Sequence, residues 1–213
     1  MCEVGASPEH EDLPEVVLNV LDARGLAVRA LEAVIAKEVA ECEHESTLFR
    51  GNSFATKMLT SFGRARGYHY LRATLRDLML SMCKRPRDYA LDIDPHGGGG
   101  GETGDEQSEA VRNLETITEA FLQVITTNAR MPRALRDICH AISENVRAKF
   151  PESITTAVGG FVFLRLINPA VITPALVDLD LPVDTREIRR GLTHVTKILQ
   201  SLANNSPCKG CGI

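Results

Sequence analysis

The amino-acid sequence predicts an all-helical fold. Three observations carry that expectation. Apolar residues recur at steps of three and four along most of the chain, which is the period of an amphipathic helix. Alternation of the strand type is hard to find, and the periodic stretches are separated by glycine, proline or polar punctuation. Residues 1–13 are acidic and lack any period, and are expected to form a disordered tail. Helical periodicity begins near Pro14 with Val17, Leu18 and Leu21, and continues with Leu26, Leu31, Val34, Ile35 and Val39. Gly25 is expected to divide this stretch into two helices.

A charged run, Glu38 to Glu45, leads into the segment Thr47-Leu48-Phe49-Arg50-Gly51-Asn52-Ser53, which falls at a break between helical patterns. Asn52 and Ser53 are N-cap types for the helix that follows. Phe54, Met58, Leu59 and Phe62 repeat on one face of it, Gly67 interrupts, and Tyr70, Leu71, Leu75, Leu78, Met79 and Met82 continue in register to Arg85-Pro86. Residues 96–108 read as a flexible glycine-rich insertion. They are not a phosphate loop, which needs Gly-Lys-Ser/Thr or a preceding apolar strand. Further helices are expected over Glu109–Thr127 (Val111, Leu114, Ile117, Phe121, Leu122, Ile125) and from Leu135 to Phe150-Pro151 (Ile138, Cys139, Ile142, Val146). Ile154 to Ile167 gives a strongly apolar helix ended by Asn168-Pro169. Arg186 to Asn205 gives the last, with Ile188, Leu192, Val195, Ile198, Leu199 and Leu202. No internal repeat is detectable.

Composition narrows the function classes. The 213 residues suffice for one sizeable core, but without tryptophan it must be filled by Leu, Val, Ile and Ala. A net charge of −4 argues against general nucleic-acid affinity. No apolar run approaches the length needed to span a bilayer, so direct membrane insertion is not expected, and the first residues lack the features of a signal peptide. Six cysteines, at 2, 42, 83, 139, 208 and 211, read as reduced thiols. Cys208-Lys209-Gly210-Cys211 has no second ligand pair with which to hold a metal and reads as a frayed tail.

Two arginines stand out. Arg165 lies in Phe163-Leu164-Arg165-Leu166-Ile167-Asn168-Pro169, on a helix that reads as buried nearly all round. A guanidinium there needs acceptors, because an unpaired buried charge is costly. It forms an ordinary ion pair or helix-end cap, or else it grips a nearby loop and fixes that loop's shape. Arg50 sits on the loop after Leu48 and Phe49, which can anchor the segment while the next side chain points out. Gly51 allows a tight turn. Arginine is a poor general base because it stays protonated, but its planar fork suits phosphate oxygens.

Thr47 to Ser53 and Phe163-Leu164-Arg165-Leu166-Ile167-Asn168-Pro169-Ala170-Val171-Ile172-Thr173-Pro174 resemble the two signatures of Ras GTPase-activating (RasGAP) domains, the neurofibromin-like members in particular. Gly191 followed by Lys197-Ile198-Leu199-Gln200-Ser201-Leu202-Ala203-Asn204 resembles a third block of that family. The resemblance covers about Leu18 to Asn205, with its blocks in order. It implies an irregular helical domain that is an activator, not an enzyme with its own turnover. Its partner would be a Ras-type small GTPase in the GTP-bound state. It would have no cofactor of its own, since GTP and Mg belong to the partner.

Residue by residue, the resemblance makes Arg50 the arginine finger, inserted in trans to neutralise charge between the β- and γ-phosphates, with its backbone carbonyl helping to hold the GTPase's water-positioning glutamine. Arg165 becomes the secondary arginine that steadies the finger loop. Thr47, Leu48, Phe49 and Gly51 belong to the partner-binding loop. Leu164, Lys197 and Asn204 fall at or beside the GTPase groove, Thr47 and Asn168 support the loops, and His194 stands where close relatives often carry a basic residue. The family implies negative regulation of Ras signalling from the cytoplasm, with recruitment to the inner face of the plasma membrane by other domains. Domains of this family continue with further helices after the position of Asn204. The expectation is therefore a partial domain over 14–205 with a divergent tail at 206–213. The alternative functions are a non-catalytic module that binds the same GTPase, and an inactive truncated fragment.

Overall fold

A computed structural model describes residues 13–84, 104–127, 131–179 and 186–206, and every regular element among them is helical. The all-helical expectation holds. The residues 1–12, 85–103, 128–130, 180–185 and 207–213 lie outside the description, and with them most of the expected tails, residues 96–103 of the glycine-rich insertion and Cys208-Cys211. The described chain divides into two compact units, with boundaries after Gly67, Met131 and Phe161.

The first unit contains α1 (Leu13–Asp22), α2 (Ala27–Glu41), the first part of α3 (Phe54–Lys84), α5 (Arg133–Lys149) and α6 (Ile154–Gly159). α1 packs on α2, α2 on α5, and α5 on α6. The reason is visible in two stripes, Leu31, Ile35 and Val39 on α2 and Leu135, Ile138, Ile142 and Val146 on α5, all buried. Each such side chain contributes about 1.5–3 kcal/mol of burial. Gly25 ends α1 as expected, with φ +67 and the paired bonds Leu26 N to Leu21 O (2.8 Å) and Gly25 N to Asp22 O (2.9 Å) of a left-handed cap. Leu26 and Phe54, placed on the apolar stripes by their spacing, are exposed. Ala55 and Thr56 are buried in place of Phe54.

The second unit contains the rest of α3, α4 (Gly104–Thr127), α7 (Asn168–Ile172) and α8 (Arg186–Ala203). α4 turns Leu114, Ile117 and Phe121 inward and packs on α8, whose buried stripe is Ile188, Leu192, Val195 and Leu199. Leu202, expected on that stripe, is exposed. α8 ends as α1 does: Asn205 takes φ +48, with Ser206 N to Ser201 O and Asn205 N to Leu202 O both at 3.0 Å.

Four expectations about continuity are corrected. Gly67 does not interrupt α3, which runs unbroken for 31 residues. A mid-helix glycine costs only about 1 kcal/mol, and buried residues on both sides (Phe62, Leu71, Leu75) outweigh it. Residues 104–108 of the insertion are helical, forming the start of α4. Leu13, assigned to the tail, is the first residue of α1. Asn168-Pro169 does not end the apolar helix: α6 passes into a wide π-helical stretch, Gly160–Ile167, and then into α7, with Pro169 in the first turn of that segment. A missing N–H is tolerated there. As a result Pro151–Ile172 is 22 residues long and holds an 18-residue window of mean hydropathy 1.5, enough by length and composition to cross a bilayer, contrary to the sequence reading. Its α6 part packs on α5 and its α7 part on α8.

Candidate functional site

The Arg50 segment is built from its two ends. At the first, α2 finishes with Cys42 in extended conformation (φ −70, ψ 120), and no glycine or asparagine follows to close the last turn. Its carbonyls are met from outside: the Lys149 ammonium donates to Val39 O (3.1 Å), Ala40 O (2.8 Å) and Cys42 O (2.7 Å). The next residues form a short turn, Glu45–Thr47, in which Thr47 Oγ1 donates to His44 O at 2.8 Å. Ser153 Oγ donates to Glu45 Oε2 at 2.5 Å. At the far end, Ser53 caps α3 as its residue type predicts: Thr56 N donates to Ser53 Oγ at 3.2 Å. The Ser53 hydroxyl donates in turn to Glu38 Oε1 (2.9 Å), and buried Thr56 Oγ1 donates to Gly51 O (2.9 Å).

Between these ends Leu48 and Phe49 are buried, Phe49 at 2% exposure, while Arg50 is exposed. The tight turn falls on Phe49, whose φ is +55, and not on Gly51, which has an ordinary φ and open space around it. Left-handed backbone in a bulky residue is strained by about 1–3 kcal/mol, and such strain clusters at functional sites. The ring of Phe49 is buried and the very next side chain is exposed. Arg50 N donates to Thr47 O at 3.1 Å, which closes the turn.

Arg165 lies in the second unit, in the π-helical stretch. Such stretches are rare and recur at functional sites. The helix is not buried all round. Phe161 and Leu166, five residues apart, both point inward, whereas Leu164 is 38% exposed and Arg165 is half-buried. The wide turn explains the difference, since a turn closed by i→i+5 bonds holds more residues than the 3.6 of an α-helix and so faces different residues outward. The same unit brings Asn168 and Asn204 together through a residue that the sequence did not single out for a role, Gln200. Asn168 Nδ2 donates to Gln200 Oε1 at 3.2 Å, and Gln200 Nε2 to Asn204 Oδ1 at 3.2 Å. Lys197 is exposed on α8, one turn before Gln200 and Ser201. His194 is buried, and burial lowers its pKa, helped by the charges of Lys197 and Arg190.

Lys149, Thr56 and Gln200 are the residues that sequence reasoning missed here. Lys149 had one indirect signal: α2 ends with no left-handed residue and no basic side chain in its last turn, so its carbonyls must be met from elsewhere. Glu38, Glu41, Cys42, Glu43, His44 and Thr47 line an open hollow of about 340 Å³ beside the loop. Among the described residues no cluster of His, Cys, Asp or Glu is placed to hold a metal ion. Cys42 and Cys139 are free thiols, and burial pushes the Cys139 thiol up to about 11, which leaves it unreactive.

A family described as GTPase-activator protein for Ras-like GTPase matches residues 30–97 and 102–204. The chain is 28% identical over 203 residues to the Ras GTPase-activating protein gap-2 of Caenorhabditis elegans (95% of this chain, 17% of that protein). It is 30% identical over 190 residues to the inhibitory regulator protein IRA1 of Saccharomyces cerevisiae (88% and 6%). It is 32% identical over 178 residues to a Drosophila melanogaster GTPase-activating protein (82% and 15%). The chain thus spans less than a quarter of the length of each of these relatives. The family match covers well over half of the chain and includes both arginine segments: the chain belongs to the family of GTPase-activator proteins for Ras-like GTPases.

Proposed function

We propose that this domain accelerates GTP hydrolysis by a GTP-bound, Ras-type small GTPase by supplying Arg50 in trans, and thereby switches off Ras signalling. The observation that carries the reading is the turn itself: an exposed arginine directly follows a phenylalanine that is buried and held at φ +55. The chemistry follows from the side chain. A guanidinium adds positive charge where phosphate charge develops, without proton transfer, and it does so best from a preorganised backbone in a site that excludes water.

In the Ras–GAP pair itself such a finger is a known case worth about 10³–10⁵ in rate, a magnitude taken from that system and not from this chain. It corresponds to roughly 4–7 kcal/mol of barrier. An exposed salt bridge, at about 0–1 kcal/mol, falls far short, so the effect requires an enclosed interface formed with the partner. Thr47, Leu48, Phe49 and Gly51 shape the loop in this reading. Arg165 is the second arginine that steadies the finger. Leu164, Asn168, Lys197 and Asn204 serve the partner-binding surface of their own unit.

Single-turnover hydrolysis with the GTPase limiting is the test. Arg50→Ala should lower the maximal stimulated rate by about 10³-fold or more while the domain still binds the GTPase with nearly unchanged affinity. Equal stimulation by the variant overturns the finger role. Binding without stimulation by the wild-type domain would favour a non-catalytic binding module.

A further inference from the structure

The three acceptors held by Lys149 set it apart from an ordinary helix-end lysine. An ammonium has three donors and no acceptor, and here each finds a backbone carbonyl within 3.1 Å. Two of those carbonyls, Val39 and Ala40, belong to the last turn of α2, where a cation also meets the negative end of the helix dipole. The third, Cys42, lies past the helix end and is the first residue of the segment that bears Arg50. From there a line of hydrogen bonds runs to the finger. Cys42 Sγ donates to His44 O (3.1 Å), Thr47 N and Oγ1 both reach the same carbonyl, and Arg50 N donates to Thr47 O (3.1 Å). Ser153, in the turn just after α5, holds Glu45 on the same segment. The Lys149 ammonium also lies 5.4 Å from the Phe150 ring centroid, which helps to fix where it points.

The comparison within the molecule argues against a merely generic cap. α1 and α8 close their ends with their own backbone, through Gly25 and Asn205. α2 has no such residue and is closed by a cation from another helix. The end of α2, and with it the take-off point of the Arg50 segment, is therefore set by α5.

We propose that Lys149, assisted by Ser153, is a positioning residue for the finger: it fixes the Cys42 end of the loop so that Arg50 is presented in one geometry. This rests on the function proposed above for Arg50. A displacement of about 1 Å in a catalytic group can cost about 10²-fold in rate.

The test uses Lys149→Met, which keeps the apolar stem and removes the ammonium, with Lys149→Arg, Arg50→Ala and the double variant Lys149→Met/Arg50→Ala. Lys149→Met should lower the maximal single-turnover rate at saturating domain by about 10–10²-fold. The concentration giving half-maximal rate should stay nearly unchanged. Lys149→Arg should recover most of the loss, because it restores charged donors. On the Arg50→Ala background the methionine should cause no further loss, since the finger through which it acts is gone. A loss of equal size on both backgrounds means that Lys149 supports the fold at large, and overturns the proposal. So does an unchanged maximal rate in Lys149→Met while Arg50→Ala abolishes stimulation. If Arg50→Ala itself has no effect, the function reading fails, and the positioning role fails with it. Should Lys149→Met not fold, Ser153→Ala takes its place: a smaller loss in maximal rate that vanishes on the Arg50→Ala background supports the proposal, and an unchanged rate overturns it.

Discussion

Arg50 stands on a segment with one short turn and no other regular structure, whereas Arg165 stands inside a helix. The two are prepared by different means. The backbone at Arg50 is fixed from outside, by a lysine from α5, a serine after it, a threonine of α3 and a buried phenylalanine in a strained conformation. The backbone at Arg165 is fixed by its own helix, and what is unusual is the helix's width. An exposed charge on a loop must draw its rigidity from neighbours, because a loop left alone would lose most of the alignment that makes the charge useful. A charge within a helix already has its backbone in place, and needs only the correct facing.

Substitution at the two arginines gives the largest expected contrast. Arg50→Ala should cost about 10³-fold or more in maximal stimulated rate and little in thermal stability, since the side chain is exposed. Arg165→Ala should cost about 10²-fold or less, the size of a positioning effect, and should lower the melting temperature as well, since Arg165 is half-buried. Paired rate and melting measurements on the two variants decide it. If both lose rate equally with no change in melting, the division into a reacting charge and a supporting one is wrong.

Phe49 sharpens the comparison on stability alone. Replacing it by glycine would relieve about 1–3 kcal/mol of left-handed strain, but it would give up about 3–5 kcal/mol of buried packing. Packing wins, so both Phe49→Gly and Phe49→Ala should unfold at lower denaturant than wild type. A more stable Phe49→Gly would show that the ring is not the anchor of the loop.

These features were legible in the sequence to unequal degrees. The stripes of α2 and α5 could be read because burial leaves a period, and every residue of Leu135, Ile138, Ile142 and Val146 is buried as expected. Breaks were read less well. Gly25 and Ser53 act as their residue types suggest, but Gly67 and Pro169 do not, because a local preference of about 1 kcal/mol yields to burial on both sides, and because proline is harmless in a first helical turn. The π-helical stretch has no periodic signature, so the outward facing of Leu164 follows only from the family resemblance and not from the apolar pattern. The arginine segments themselves are found, but residue type points to Gly51 for the tight turn where the structure has it at Phe49, since residue type predicts where a turn is easy and not where one forms. Lys149 is more than 100 positions from Cys42 in the chain, and no local pattern reports such a pair.

The smallest predicted effect tests His194. Burial is the main cause of its lowered pKa, with the positive charges of Lys197 and Arg190 adding to it. In the unfolded chain the same imidazole titrates near 6.5. Above that value it is neutral in both states and adds no pH dependence. As pH falls below it, the unfolded chain takes up a proton that the folded chain resists, so stability declines until the folded group protonates too. Denaturant unfolding on either side of pH 6.5 should therefore show a loss on the acid side, and His194→Gln should flatten that slope without removing the contribution of other groups. An identical pH slope in the variant would mean that folding does not lower the pKa of this imidazole.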